Sequence, residues 1–236
     1  MTHIGQCGMA FQLVIVFTLF VTTAMAVNPK LPLQFQMQWR MVATINNNIS
    51  IPLDWNPLPP KGVQYLVGSG STYYDWDRKA MLEIYDDFCV PIFGPLGDRT
   101  NLFKCNFLNV NLTSYLISEP PSPFPSCCVF GSQVFHPPAP DFLKHMNFNS
   151  AGQLFDKQVD WWVLDTNTDD PAEPFGYGFY KNINPETKIR DPAAFWFRTV
   201  NGFTVQYFRK FEIKTPNQST WDLPKICINA PSCGYL

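Results

Sequence analysis

Cysteine is the residue type whose pattern says most about chemistry in this chain. The seven are Cys7, Cys89, Cys105, Cys127, Cys128, Cys227 and Cys233. An apolar run from Met9 to Val21 leads into Ala24-Met25-Ala26. This is an h-region followed by a small-residue cleavage site, so residues 1–26 read as a signal peptide. Its removal takes Cys7 and leaves an even set of six, the signature of disulfides in an oxidising compartment. Many pairings are open to six cysteines, and spacing does not choose among them. Cys89 with Cys105 is sterically easy. Adjacent cysteines reach different partners more readily than each other, since a vicinal bond strains the peptide. Cys127 and Cys128 would then hold the C-terminal tail through Cys227 and Cys233.

Other chemistry is thin. Outside the signal the histidines are His136 and His145, and there is no G-x-S-x-G motif. A Ser/His/Asp or Cys/His nucleophile and a histidine zinc site are both disfavoured. A carboxylate pair of glycosidase type cannot be named. The run Asp165-Thr166-Asn167-Thr168-Asp169-Asp170 begins like a calcium loop. It lacks the turn glycine at its sixth position and has Gly176 where a bidentate Glu belongs, so an EF-hand is rejected. A looser calcium site on Asp165, Asp169, Asp170 or Glu173 is retained as an expectation, against a solvated turn. Sequons at Asn48, Asn111 and Asn217 agree with passage through the secretory pathway.

The elements that position these residues come from a chain with 22 prolines, 16% aromatic and 15% charged residues. So many prolines argue against long helices. The formal net charge is -2, which draws neither nucleic acid nor an anionic membrane surface. The n-region carries no Lys or Arg, so a signal anchor competes with cleavage, although the apolar run is shorter than the ~20 residues of a spanning helix. Residues 27–236 read as a single secreted β domain. Within it, 89–140 reads as a Cys/Pro-rich loop segment with one strand pair.

Leu33 to Ile45 alternates with period two, the mark of a long strand. Strands are also expected over 63–67 and 71–77 around Gly68-Ser69-Gly70, over 79–86, and at 103–109 with 113–117. Asp141 is expected to cap a turn over 142–146. Further strands fall over 158–164, 175–180, 195–200 and 203–213. Asn201-Gly202 between the last two is a type I′ hairpin signal. That turn sets Trp196 opposite Tyr207 and Arg198 opposite Val205, on one face with Phe203. Phe195, Phe197, Thr204 and Phe208 share the other face. Both faces are apolar, as in a sheet covered on two sides or one that lines a ligand cavity. Arg198 among apolar neighbours would need a partner, either an internal carboxylate or an anionic ligand head.

With Tyr74-Asp75-Trp76-Asp77-Arg78 as a Tyr-Asp-x-x-x-Arg-like strand, a long first strand, sequons and disulfides, the layout resembles ependymin-related proteins. Their fold is similar to the bacterial LolA-type lipoprotein carriers. The resemblance implies a strongly curved antiparallel half-barrel around a hydrophobic pocket, with calcium binding. The leading expectation is a non-catalytic secreted glycoprotein that binds an apolar or lipid-like ligand. Trp39, Trp161, Trp196, Phe203 and Tyr207 are its candidate lining and Arg198 its polar anchor. The alternative is a matrix or cell-surface protein that binds glycan or protein through exposed aromatics. An enzyme comes third.

Overall fold

The computed structural model describes residues 28–44, 52–89, 102–132, 137–164, 175–199 and 202–234. It is mainly β: β1 Gln34–Thr44, β2 Tyr65–Asp75, β3 Ala80–Tyr85, β4 Cys105–Val110, β5 Thr113–Ser118, β6 Cys127–Ser132, β7 Asn147–Leu154, β8 Lys157–Leu164, β9 Phe175–Tyr180, β10 Pro192–Thr199 and β11 Gly202–Glu212. All belong to one antiparallel sheet in the order β6-β5-β4-β3-β2-β1-β11-β10-β9-β8-β7. Two meanders, β1 to β6 and β7 to β11, are joined where β1 pairs with β11. The sheet is open and is not strongly curled or closed: β6 and β7 are its two ends. This corrects the expected half-barrel. Each strand pairs with its neighbour, and no pairing joins the ends.

The β6 end is covered. Val129 donates its N–H to Pro231 and accepts from the Cys233 N–H, at 2.7 and 3.0 Å. The tail thereby forms a short parallel bridge to Val129 through Ser232. Disulfides Cys127–Cys227 and Cys128–Cys233 fasten it there, and Cys89–Cys105 closes the short loop before β4. The two cysteines point to opposite sides of β6 because neighbouring strand residues do. One pair therefore grips the tail from both faces. Closing a first loop of this length is worth about 4–5 kcal/mol. Covering the edge also removes a template for aggregation.

Alternation gives the sheet two apolar faces. Phe35, Met37, Trp39, Met41 and Ala43 of β1 lie on one, here the Trp39 face, with Tyr85, Phe107, Leu116, Cys128 and Phe208. Val42 lies on the other, the Trp196 face, with Trp161, Trp196, Phe203, Val205 and Tyr207 under Trp55. A bulge between Gln38 and Trp39 shifts the β1–β11 register. The extra β11 residue lets Phe208 and Phe211 both oppose residues of the Trp39 face, which strict alternation forbids.

Several local expectations change. Gly68-Ser69-Gly70 is not a break but part of β2. The Trp39 ring lies over Gly70, where a Cβ would stand 2.1 Å from the Ile84 carbonyl and 2.2 Å from the indole. The segment 89–140 contains β4, β5 and β6, not one strand pair in a loop. Polar β7 was not foreseen. The last hairpin pairs Thr199 with Gly202, so Trp196 opposes Val205 and Ala194 opposes Tyr207. This two-residue shift keeps each face and sets a small side chain beside the large phenol. Asp141 makes no capping hydrogen bond to the turn Phe142–His145; it pairs with Lys144 at 3.0 Å.

Gly70→Ala should destabilise the fold by about 2–3 kcal/mol in denaturant unfolding, because the main chain of β3 cannot yield to the added methyl. Non-reducing peptide mapping should recover the 89–105, 127–227 and 128–233 bridges. A 127–128 bridge would contradict the two-sided grip.

Candidate functional site

Where β1, β2 and β3 meet β9, β10 and β11 on the Trp39 face, side chains surround a cavity of about 230 Å³. Strand register selects them. Thr72 sits between Met37 and Glu83, Tyr74 between Phe35 and Met81, and Phe195 between Tyr177 and Gln206. Phe35 stacks on Tyr74 at 4.7 Å and Phe195 on Tyr177 at 4.5 Å, so two aromatic pairs wall the space. Residues of β3 and β9 line this one cavity although they are five strand spacings apart, which is roughly 24 Å in a flat sheet.

The cover is made by segments outside the sheet. Leu31 and Pro138 complete the lining. The Leu31 N–H donates to the Pro140 carbonyl at 2.9 Å and the Tyr74 hydroxyl to Pro138 at 2.7 Å. The Asn28 amide donates to the Leu143 carbonyl at 2.5 Å. Leu143 and Met146 of the following turn pack on Trp162 and Phe179.

Glu83 is the one acidic group among the described residues that line the cavity, and none of them is basic. Glu83 is half-buried, and the loss of water around it raises its carboxyl from the ordinary value of 4.5 to about 7, against the lowering effect of hydrogen bonds from Tyr85 and Thr72. The Tyr85 hydroxyl donates to Glu83 Oε2 at 3.4 Å and accepts from Gln206 Nε2 at 3.3 Å. Trp39 Nε1 donates to Thr72 Oγ1 at 3.0 Å, and Thr72 in turn donates to Glu83. Two donor relays therefore end on one carboxylate. Burial, with the Glu83 charge nearby, also holds Tyr85 and Tyr177 well above the ordinary phenol value.

None of the residues expected to line a pocket lines this cavity. Trp39 is in the core beneath its rim, tilted against Tyr85 at 4.9 Å. Trp161, Trp196, Phe203 and Tyr207 are on the opposite face, packed into one cluster. Glycines of β9 admit the rings: a Cβ on Gly176 would stand 2.4 Å from Trp196, and one on Gly178 2.8 Å from Trp161. Arg198 is exposed rather than held on an apolar face, because it pairs with Phe203 near the end of the hairpin. The calcium candidates Asp165, Asp169, Asp170 and Glu173 lie outside the described residues, as do Asn48, His136 and the signal. No group of three or more His, Cys, Asp or Glu residues that could hold a metal occurs among the described residues. Asn111 is exposed in the β4–β5 turn, and Asn217 is exposed before the turn Gln218–Trp221. Tyr74-Asp75-Trp76-Asp77-Arg78 spans the end of β2 and the turn toward β3, where Asp75 accepts from the Arg78 N–H at 3.2 Å.

Glu83 itself was missed. Its signal was a lone acid between Leu82 and Ile84 in an apolar strand. A larger open hollow of about 620 Å³ lies beside Asn182–Pro185. Two of its polar groups are engaged with each other: Asn184 donates to Asp191, which also accepts from Thr187.

No family model matches this chain. No curated protein matches it either. Solved structures do. An uncharacterized conserved protein from Thermus thermophilus has 8% identity and a TM-score of 0.45, covering 84% of this chain and 88% of its own. A DUF1329 family protein from Desulfovibrio piger has 9% identity and a TM-score of 0.33, covering 80% and 89%. These resemblances identify no named family and give no support to the ependymin likeness.

Two outcomes follow from the geometry. A carboxyl whose folded-state pKa is raised contributes most below its unfolded value and loses that contribution as pH rises through the folded one. Stability should therefore fall through Glu83 between pH 4.5 and about 7. Glu83→Gln should be the more stable form near about pH 8, by on the order of 3 kcal/mol, with the gap closing toward acid. Parallel melting profiles would contradict this. Trp196→Ala should cost about 3–5 kcal/mol yet leave cavity-ligand affinity per folded molecule unchanged.

Proposed function

We propose that the protein is a secreted, non-catalytic glycoprotein that binds a small apolar ligand in the cavity at Glu83. The observation that carries the reading is the lining: phenylalanine, methionine and tyrosine side chains around about 230 Å³, with one half-buried carboxylate. Binding sites are mostly apolar with a few convergent polar groups. A sheet whose centre is covered on both faces has no structural need for an acid there. The size suits a compact molecule or one end of a chain better than a whole lipid, since drug-sized pockets run about 300–1,000 Å³. Three disulfides fit an oxidising compartment, and the apolar leader with its sequons fits export.

The alternative, an extracellular protein that binds glycan or protein partners through exposed aromatics, has less behind it. Exposed large apolar side chains among the described residues are mostly aliphatic, with Tyr65 on β2 and Phe148 on β7 as the aromatic ones.

The test is native mass spectrometry of the protein secreted by a eukaryotic host, repeated after organic extraction. The reading expects a small apolar molecule that leaves on extraction, from a polypeptide carrying glycans at Asn111 and Asn217. A mass equal to polypeptide plus glycans, less the hydrogens lost to three disulfides, together with no binding of a hydrophobic dye, would overturn it.

A further inference from the structure

The direction of the hydrogen bonds around Glu83 says more about the ligand than the size of the cavity does. Gln206 donates to Tyr85 and Tyr85 to Glu83. On the other side Trp39 donates to Thr72 and Thr72 to Glu83. Each relay starts on a group with no acidic proton of its own to lose and ends on the carboxylate. A neutral acid would need somewhere to send its own proton. Thr72 and Tyr85 already point theirs inward, and the Tyr74 hydroxyl is committed to the Pro138 carbonyl at 2.7 Å. The network is built to receive at Glu83, which is the arrangement that favours the anion.

What the network lacks is a cation. The groups that face Glu83 are Thr72 and Tyr74 on β2, Tyr85 on its own strand, Tyr177 on β9 and Gln206 on β11. No Lys, Arg or His is among the described residues of the lining. Among the described residues the buried Asp75 is paired with Arg78 at 3.4 Å and the half-buried Asp160 with Arg190 at 2.6 Å. A half-buried carboxylate without a counter-ion still carries a desolvation cost, and a partner that supplies the charge recovers it. The walls around it are the aromatic side chains of Phe35, Tyr74, Tyr177 and Phe195, which take the hydrocarbon part of a ligand.

We infer that the cavity takes a small primary or secondary amine with an apolar body, its ammonium group hydrogen-bonded to Glu83 and its hydrocarbon against the aromatic walls. The inference rests on the proposed binding reading and names its ligand class. Any acid of the same shape is excluded by like charge, and an alcohol binds more weakly because it gains a neutral hydrogen bond where the amine gains a charge-assisted one. Protonation of Glu83 in acid removes the preference, so the site releases the amine as pH falls.

Isothermal titration calorimetry with octylamine, octanol and octanoate on the glycosylated, oxidised protein tests this directly. Near about pH 8 the amine should bind at least about tenfold more tightly than the alcohol, a difference of about 1.4 kcal/mol, and the acid should bind least. At about pH 5.5, with octylamine still fully charged, the amine should lose most of that advantage as Glu83 takes up its proton. In Glu83→Gln, checked for its fold by circular dichroism, amine and alcohol affinities should converge at both pH values. Because the wild-type pH comparison needs no variant, a failure of Glu83→Gln to fold leaves the test standing. Octanol binding as tightly as octylamine, or octanoate binding best, would overturn the amine assignment and leave the binding reading intact. No binding of any of the three would overturn the binding reading itself.

Discussion

The whole sheet depends on the ladder β2–β1–β11. β1 is paired along its length with β2 on one side and with β11 on the other, and it is the only seam between the two meanders. Its alternation supplies both cores at once: Trp39, Met41 and Ala43 to one side, Val42 to the other. A sheet centre covered on both faces leaves no solvent side on which to hide a misfit. The fit is made by pairing rings with absent side chains, Trp39 over Gly70, Trp196 over Gly176 and Trp161 over Gly178. Moving any of these strands by one residue would bring a serine to the place of Gly70, or a phenylalanine or tyrosine to that of Gly176 or Gly178, against the indole there, so the glycines help to fix the register.

The two faces then part in character. The Trp196 face is filled, and its tryptophans serve packing. The Trp39 face is filled at Trp39 and Tyr85 but opens between the Phe35–Tyr74 and Phe195–Tyr177 stacks. Across that opening runs a polar thread through four strands, from Gln206 on β11 and Trp39 on β1 to Glu83 on β3, by way of Tyr85 and Thr72. Buried networks of this kind stabilise only when every member is satisfied. Here the Trp39, Tyr85 and Thr72 donors are used and the terminal acceptor is left with spare capacity, which is why the thread reads as a site and not as a strut. The cover over it hangs on a few main-chain and side-chain bonds to the segments at Leu31 and Pro138, a far weaker attachment than a strand pairing.

Much of the fold was legible because strong alternation survives in the sequence. β1, β8, β9 and β11 lie within a residue or two of where their apolar periods put them; Cys127 and Cys128 do hold the tail, but which tail cysteine each takes was not legible in the spacing. β7 was not legible because Asn147, Asn149, Ser150 and Gln153 carry no apolar period; it forms as an end strand against β8. Gly68-Ser69-Gly70 read as a turn because the need for Gly70 comes from Trp39, a residue of another strand. The site was misread for a related reason. The largest aromatics drew attention, yet whether a tryptophan lines a space or fills one depends on the residue facing it, and the glycines of Phe175-Gly176-Tyr177-Gly178-Phe179 had already made room. Glu83 was visible as a lone acid in an apolar strand. Its place beside Thr72 and under Gln206 appears only once β2 and β11 are brought to the same face.

The measurement that bears most directly on this account is a carbon-13 NMR titration of the Glu83 side-chain carboxyl in the intact, ligand-free protein. A half-buried carboxyl without a counter-ion should titrate at about 7. A titration near 4.5, the ordinary glutamate value, would mean that Glu83 meets water or a cation, and the cavity would then be only a gap in the packing.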